Sequence, residues 1–282
     1  LPEEALKKSK VDVVVIGEGE VTLYELVNLF IQRKHRNVEE LANVDGIAFR
    51  ANEQIEFTKI REHIKDLDTV PFPARDLIDL NNYKGWYINK GQKESAVFFT
   101  RGCPYSCTFC SNVVWKKCKP YVRNRSPKNI VDEIEMLYRD YDIEEIYDCS
   151  DEFNSDMRHA LAVCEEIKNR KLDIKWKTSM RATPLPEELV KAMAESGCWY
   201  VLIGIESGNE ETLKGINKHI TLQQVEDACR LFKKYNLKVQ GLFMLYNVWE
   251  ENGQLKYEDT NMVKKTFKYV SSLVDKKLLD YI

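Results

Sequence analysis

At 282 residues the chain has room for one large α/β domain, or for a medium domain with part of another. Its formal charge of −3, with 31% charged and 44% hydrophobic residues, is that of an ordinary globular protein, so bulk charge gives no reason to expect a nucleic-acid or anionic-membrane partner. No apolar run reaches the roughly 18 residues of a spanning helix and the polar opening LPEEALKKSK has no signal core, so a cytoplasmic protein is expected, its eight cysteines serving as thiols or metal ligands.

The first element is the β-branched run VDVVVIG, a strand of the kind buried in a parallel sheet, followed by Gly17-Glu18-Gly19-Glu20. The next stretch, VTLYELVNLFIQRK, has helical spacing, with Leu23, Leu26, Val27 and Phe30 on one face. One β/α unit cannot bury both of its faces alone, so residues 1–40 read as the tail of an open-sheet domain whose other strands precede Leu1. Residues 41–94 read as a linker. It contains a hairpin, VDGIAFRANEQIEF, turning near Ala51-Asn52, and then Pro71 and Pro73, which exclude regular helix.

From Ser95 onward the alternation is regular. Apolar strands at 96–100, 145–149, 174–179, 200–206 and 238–245 alternate with helical segments near 127–140, 156–170, 186–196, 221–235 and 258–274. Five β/α units in series imply a parallel sheet with right-handed crossovers, and the final LLDYI would begin a sixth strand before the chain stops. A doubly wound sheet and a (β/α) barrel both satisfy this pattern, and both bind ligands at the carboxyl ends of the strands. The polar signals fall there: Cys103 after the first strand, Ser150-Asp151-Glu152 after the second, Arg181 after the third, Glu206-Ser207 after the fourth.

The strongest local signal is TRGCPYSCTFC, in which Cys103, Cys107 and Cys110 are spaced CxxxCxxC directly after a strand. A structural zinc site takes four protein ligands, and three thiolates leave one position unfilled unless Cys118 completes it. A 4Fe-4S cluster held by three thiolates would expose one iron to a small molecule, which suggests substrate or cofactor chemistry rather than electron storage.

This motif, opening a β/α series and with Phe109 before its third cysteine, resembles the radical S-adenosylmethionine (SAM) superfamily. VDVVVIGEGEVTLYELV, VPFPARDLIDL, TRGCPYSCTFCSN, RNRSPKNIVDEIEMLY, DEFN and GCWYVLIGIESGNEETLKGINKHIT are together similar to the cobalamin-binding radical SAM enzymes, collinearly over nearly the whole chain. The implied fold is a partial (β/α)6 TIM-like barrel (residues 95–282), preceded by the C-terminal β/α unit of a Rossmann-like cobalamin-binding domain (residues 1–40).

The resemblance implies that Cys103, Cys107 and Cys110 bind a 4Fe-4S cluster whose fourth iron is chelated by SAM, and that reductive cleavage gives methionine and a 5′-deoxyadenosyl radical. It places Asp151 and Glu152 near the SAM amino group, where a cation favours carboxylate acceptors, and Arg181 near its carboxylate. Glu206 or Ser207 would meet the ribose or methionine part, and Phe109 the adenine or the cluster loop. Gly17 and Gly19 would let the backbone approach the nucleotide tail of cobalamin. Each has an ordinary alternative. Asp151, Asn154 and Ser155 suit a helix N-cap, Arg181 a surface pair with Glu187 or Glu188, and Phe109 a core aromatic.

Some features depart from the family. Leu245-Tyr246-Asn247-Val248-Trp249-Glu250 replaces the glycine-rich turn usual after the fifth strand, and Cys149-Ser150 precedes Asp151 where an apolar residue and a carboxylate are more common. Cys149 reads as a buried thiol and Cys164, Cys198 and Cys229 as core; His35, His63, His159 and His219 have no metal spacing, and the lysines at 116, 117 and 119 read as a solvated face. The expected activity is methylation of an unactivated carbon in a small molecule or peptide, with an electron donor such as flavodoxin or ferredoxin. Oxidative cyclisation or rearrangement occurs on the same scaffold. A methylthiotransferase would carry further amino-terminal cysteines, and residues 1–102 contain none. A non-catalytic iron–sulfur carrier or sensor would need a fourth ligand such as Cys118 or Cys149.

Overall fold

The computed structural model describes residues 1–34, 37–51, 54–83, 88–91 and 93–282, with Trp115 described in its backbone alone. His35 and the hairpin turn expected at Asn52 lie outside the described residues. By packing, the chain divides into two units, Leu1–Val70 with Lys116–Pro120, and Pro71–Trp115 with Tyr121–Ile282.

In the first unit, helix α1 (Pro2–Lys8) leads to strand β1 (Val13–Val15), helices α2 (Gly19–Ile31) and α3 (Val38–Ala42), and the hairpin β2 (Ile47–Ala51) and β3 (Gln54–Phe57). The β-branched run was expected in a parallel sheet, but among the described residues β1 pairs antiparallel with β2, Val13 opposite Phe49. The hairpin expected in a linker supplies that partner, because its two strands need a third to bury an apolar face. Leu26 packs with Leu41, Val44, Ile47 and Phe49, while Leu23, Val27 and Phe30 of the same helix stay exposed.

The second unit begins with β4 (Glu94–Val97), the short strands β5 (Thr100–Arg101) and β6 (Arg123–Asn124), and α4 (Pro127–Asp140). It continues as β7 (Glu145–Asp148), α5 (Met157–Arg170), β8 (Lys175–Met180), α6 (Glu187–Glu195) and β9 (Cys198–Glu206). Then follow α7 (Glu210–Gly215), α8 (Leu222–Lys234), β10 (Lys238–Phe243), the hairpin β11 (Val248–Glu251) and β12 (Gln254–Tyr257), and α9 (Thr260–Asp275). Strands β4, β7, β8, β9 and β10 lie in that order with every pairing parallel, and a parallel bridge from Gln240 to Tyr281 begins the sixth position. Strand order follows chain order without reversal, which is the winding of a barrel and not of a doubly wound sheet.

Local chemistry explains the helix starts. Ser126 caps α4 through the Asn129 amide with Pro127 in the first turn, and Thr221 and Gln224 form a reciprocal capping box on α8. Asp156 caps α5 through the amides of Arg158 and His159, so the cap lies beyond Asp151, Asn154 and Ser155. Each helix buries one stripe: Ile130, Ile134 and Leu137 on α4, Val163 and Ile167 on α5, Leu189 and Met193 on α6, Val225 and Phe232 on α8. On β9, Val201, Ile203 and Ile205 join that core, whereas Tyr200 and Leu202 belong to a separate cluster with Tyr147 on the inner face. No helix among the described residues is long and apolar enough to cross a membrane.

Candidate active site

The cysteine loop leaves the carboxyl end of the sheet and is closed at its base by β5 and β6, Thr100 opposite Asn124 and Arg101 opposite Arg123. Gly102 is the first residue beyond that base. Its φ is +89°, and a Cβ there would lie 1.8 Å from the Tyr121 carbonyl oxygen, so only glycine fits. The Gly102 amide donates to Asp151 Oδ2 at 2.7 Å.

A buried polar hub holds the strand end from which the loop springs. Ser150 Oγ accepts from the amides of Phe99 (3.0 Å) and Thr100 (2.9 Å) and donates to Asp148 Oδ1 (2.5 Å), while Thr178 Oγ1 donates to Asp148 Oδ2 (2.8 Å). Asp148 is fully buried, which pushes its carboxyl up to about 6 even though hydrogen bonds from Ser150, Thr178 and Phe99 pull it down.

Above the hub, Cys107 is buried, Cys103 half-buried and Cys110 exposed. Cys103 Sγ donates to Glu152 Oε2 at 3.4 Å; burial first, and then the Glu152 charge, pushes this thiol up to about 12. Glu152 is 4% exposed, and burial raises its carboxyl to about 7 although Arg181 draws it down. Its Oε1 is buried without a hydrogen-bond partner, as is Nε of Arg181.

Arg181 is buried at the end of β8, so the alternative surface pair is not made; Glu187 instead accepts from Lys234 Nζ and Tyr235 Oη, both at 2.6 Å. Its guanidinium lies 3.8 Å from the Tyr105 ring centroid, its Nη1 3.7 Å from Cys107 Sγ, and its Nη2 donates to the Lys218 carbonyl. Asn154, absent from the sequence reading except as a cap, accepts from the Arg181 amide at 3.0 Å and donates to the Arg181 and Pro184 carbonyls.

Glu206 ends β9 with φ at +68°, and its Oε1 accepts from Lys218 Nζ at 2.8 Å. Ser207 is fully buried and its hydroxyl turns into the protein, to Glu258 Oε1 (2.7 Å) and Thr266 Oγ1 (3.1 Å). Phe109 is 36% exposed, with the Lys218 ammonium 5.8 Å from its ring. Cys107, Glu152, Arg181, Glu206 and Phe109 are thus linked through Cys103, Tyr105 and Lys218. Sequence reasoning missed Lys218 and Tyr105, because nothing in a linear pattern pairs residue 218 with 206 or 105 with 181.

The remaining thiols lie elsewhere. Cys164, Cys198 and Cys229 are buried as expected; Cys149 is half-buried where a buried thiol was expected, and burial raises it to about 11. Cys118 belongs to the other unit, its Sγ 3.9 Å from the Arg61 carbonyl. There too lie Gly17, with φ at +89° and no heavy atom within 4 Å of where a Cβ would stand, and Gly19, which opens α2. Among the described residues no group of three or more His, Cys, Asp or Glu converges as for a single metal ion.

A barrel with a three-cysteine loop over its carboxyl end defines the class, and comparison with known proteins bears on it directly. The Radical SAM superfamily model matches residues 97–253, and the chain belongs to that superfamily. A protein of Pyrococcus horikoshii named as an uncharacterized methyltransferase is 34% identical over 235 residues, 83% of this chain and 49% of that protein. The anaerobic magnesium-protoporphyrin IX monomethyl ester cyclase of Rubrivivax gelatinosus is 30% identical over 238 residues, 83% of this chain and 41% of that enzyme. Among solved structures, the radical SAM methyltransferase TsrM of Kitasatospora setae, with cobalamin and a [4Fe-4S] cluster bound, matches with a TM-score of 0.69 at 18% identity, over 94% of this chain and 50% of that one; the likeness is one of fold. The chain spans half or less of the length of these proteins.

Proposed function

We propose that this chain is the catalytic part of a radical SAM enzyme, with Cys103, Cys107 and Cys110 holding a 4Fe-4S cluster and SAM completing it, and that the whole protein uses cobalamin to methylate an unactivated carbon of a small molecule or peptide. The observation that carries the reading is that Glu152 and Arg181 each touch one of the loop cysteines, through Oε2 and Nη1, while a second polar atom of each, Oε1 and Nε, is buried with no protein group to match it. Burying such atoms without a partner costs about 1–3 kcal/mol each, more for charged groups, and a zwitterionic ligand would relieve both. Three thiolates leave one iron of a 4Fe-4S cluster open to SAM, whereas a structural zinc ion takes four protein ligands.

When bound, the cluster supplies the electron that cleaves SAM to methionine and a 5′-deoxyadenosyl radical. The chain's own residues bind, orient and exclude water. Glu152 accepts from the SAM ammonium, with Asp151 holding the Gly102 turn beside it. Arg181, stacked on Tyr105, meets the SAM carboxylate. Glu206 faces the ribose and Phe109 the adenine or the cluster loop. We assign residues 1–40 to the carboxyl-terminal part of a cobalamin-binding domain, where the open space at Gly17 suits an approaching nucleotide tail, with Gly19 beside it, and 95–282 to the SAM domain; of the connecting segment 41–94, the hairpin packs with the first of these through β1.

Oxidative cyclisation is the second reading, favoured by the likeness to the cyclase of Rubrivivax gelatinosus. Either chemistry calls for an electron donor such as flavodoxin or ferredoxin. The test is anaerobic: reconstitute with iron and sulfide, reduce, add SAM, and follow the electron paramagnetic resonance spectrum together with 5′-deoxyadenosine. A cluster signal that shifts with SAM, and deoxyadenosine formed, is the expected result. Zinc in place of iron, or a cluster indifferent to SAM, would refute it.

A further inference from the structure

Lys218 lies on the segment after α7, twelve positions beyond Glu206, yet it is 6% exposed and its ammonium reaches Glu206 Oε1 at 2.8 Å. Two further observations show that the fold is built around this pair. A Cβ at Gly204 would stand 2.5 Å from Glu206 Oε1 and 2.6 Å from Lys218 Nζ, so a residue without a side chain leaves the pair its room. Glu206 itself holds a left-handed backbone, φ +68°, where strand pairing with β10 shifts register between Leu242 and Phe243. A non-glycine residue there stores about 1–3 kcal/mol of strain, which persists where surrounding contacts over-determine it.

The pair also touches the rest of the site. The Lys218 carbonyl accepts from Arg181 Nη2, and its ammonium stands over Phe109. Removing the Lys218 ammonium would leave the buried Glu206 carboxylate unpaired and free to turn away. Resting on the SAM reading above, we infer that Lys218 is a positioning residue for SAM: it clamps one oxygen of Glu206 so that the other faces the nucleoside, and through its carbonyl it holds the Arg181 guanidinium aimed at the cysteine loop.

The test is SAM binding by equilibrium dialysis to the anaerobically reconstituted chain, without turnover, on Lys218→Met, Lys218→Arg, Glu206→Gln, the Lys218→Met/Glu206→Gln double variant and Gly204→Ala, each confirmed folded by circular dichroism. Lys218→Met and Glu206→Gln should each weaken binding about tenfold or more, the weight of one charge-assisted contact, and the double variant should bind no worse than the weaker single. Lys218→Arg should restore most of the affinity. Gly204→Ala keeps both charges but displaces their ends from where they now meet, so it should lose affinity while remaining folded; it keeps the question open to test if removal of Lys218 prevents folding. Full affinity in Lys218→Met or Gly204→Ala, or fully additive losses in the double variant, overturns the inference while leaving the SAM reading intact. Wild-type protein that binds a cluster but no SAM would overturn both.

Discussion

The two ends of the parallel sheet both carry buried charge, and they treat it differently. At the amino end, Glu145 is fully buried and accepts from the amides of Lys90 (2.6 Å) and Gly91 (2.9 Å) and from Trp199 Nε1 (3.0 Å), with Lys177 Nζ at 3.5 Å. Lys177 in turn pairs with Glu94 and donates to the Ile88 carbonyl (3.1 Å) and Asn89 Oδ1 (2.8 Å). At the carboxyl end, Glu152 and Arg181 are as deeply buried but each keeps a polar atom without a protein partner. A satisfied network closes and rigidifies a barrel; an incomplete one is a stored cost that a ligand can relieve.

The largest expected effect concerns the loop thiols. Replacing Cys103, Cys107 or Cys110 by Ala should abolish incorporation of the iron–sulfur cluster, while Cys118→Ala and Cys149→Ala leave iron content unchanged, as read by iron and sulfide analysis and absorbance. Because the Cys103 thiol is held at about 12 and must lose its proton to bind iron, assembly in the wild type should improve as pH rises. Loss of iron in Cys118→Ala would point to a fourth protein ligand instead.

Next comes the contrast between the ends. Lys177→Met removes the cation from beneath two buried carboxylates and should cost about 3–5 kcal/mol in denaturant titration, with little effect on SAM affinity in the protein that remains folded. Glu152→Gln should act in the opposite direction on cluster-free protein. Its carboxyl titrates near 7 in the folded state against an ordinary 4.5, so the folded state binds the proton more tightly than the unfolded chain. Stability therefore falls as pH rises through that window, and above pH 7 the full cost of the buried charge is present. The Gln variant lacks that cost and should be more stable at pH 8, on the order of 3 kcal/mol, with the difference vanishing below about pH 4. If both variants destabilise equally at pH 8, the contrast between the ends fails.

The smallest effect separates two neighbours. Ser207→Ala removes a donor from buried Glu258 and should cost about 1–2 kcal/mol of stability while SAM affinity stays within error. A loss of affinity confined to this variant would return Ser207 to the ligand and take it from Glu206.

Much of this was legible from residues in order. The strands and helices from Ser95 onward lie where the apolar runs and helical segments near 127–140, 156–170, 186–196 and 221–235 put them, whereas the cap of α5, sought among Asp151, Asn154 and Ser155, is Asp156. Less legible was the partner of β1, since a β-branched run states that it will pair but not with which strand. The exposed Leu23, Val27 and Phe30 show the same limit on α2, where spacing defines a face but not what covers it.

The sequence by itself determined the superfamily, the β/α alternation and the three thiols, because these depend on spacing along the chain, where a strand, a cap or a CxxxCxxC loop is a local object. Tertiary structure alone decided that Arg181 is buried against Tyr105 and Cys107, that the Ser207 hydroxyl is turned inward, and that Lys218 meets Glu206. Those facts depend on which residues parallel strands bring to one end of a sheet. Charge at such a place is defined by burial and by the partners it lacks, and neither is a property of a position in the chain.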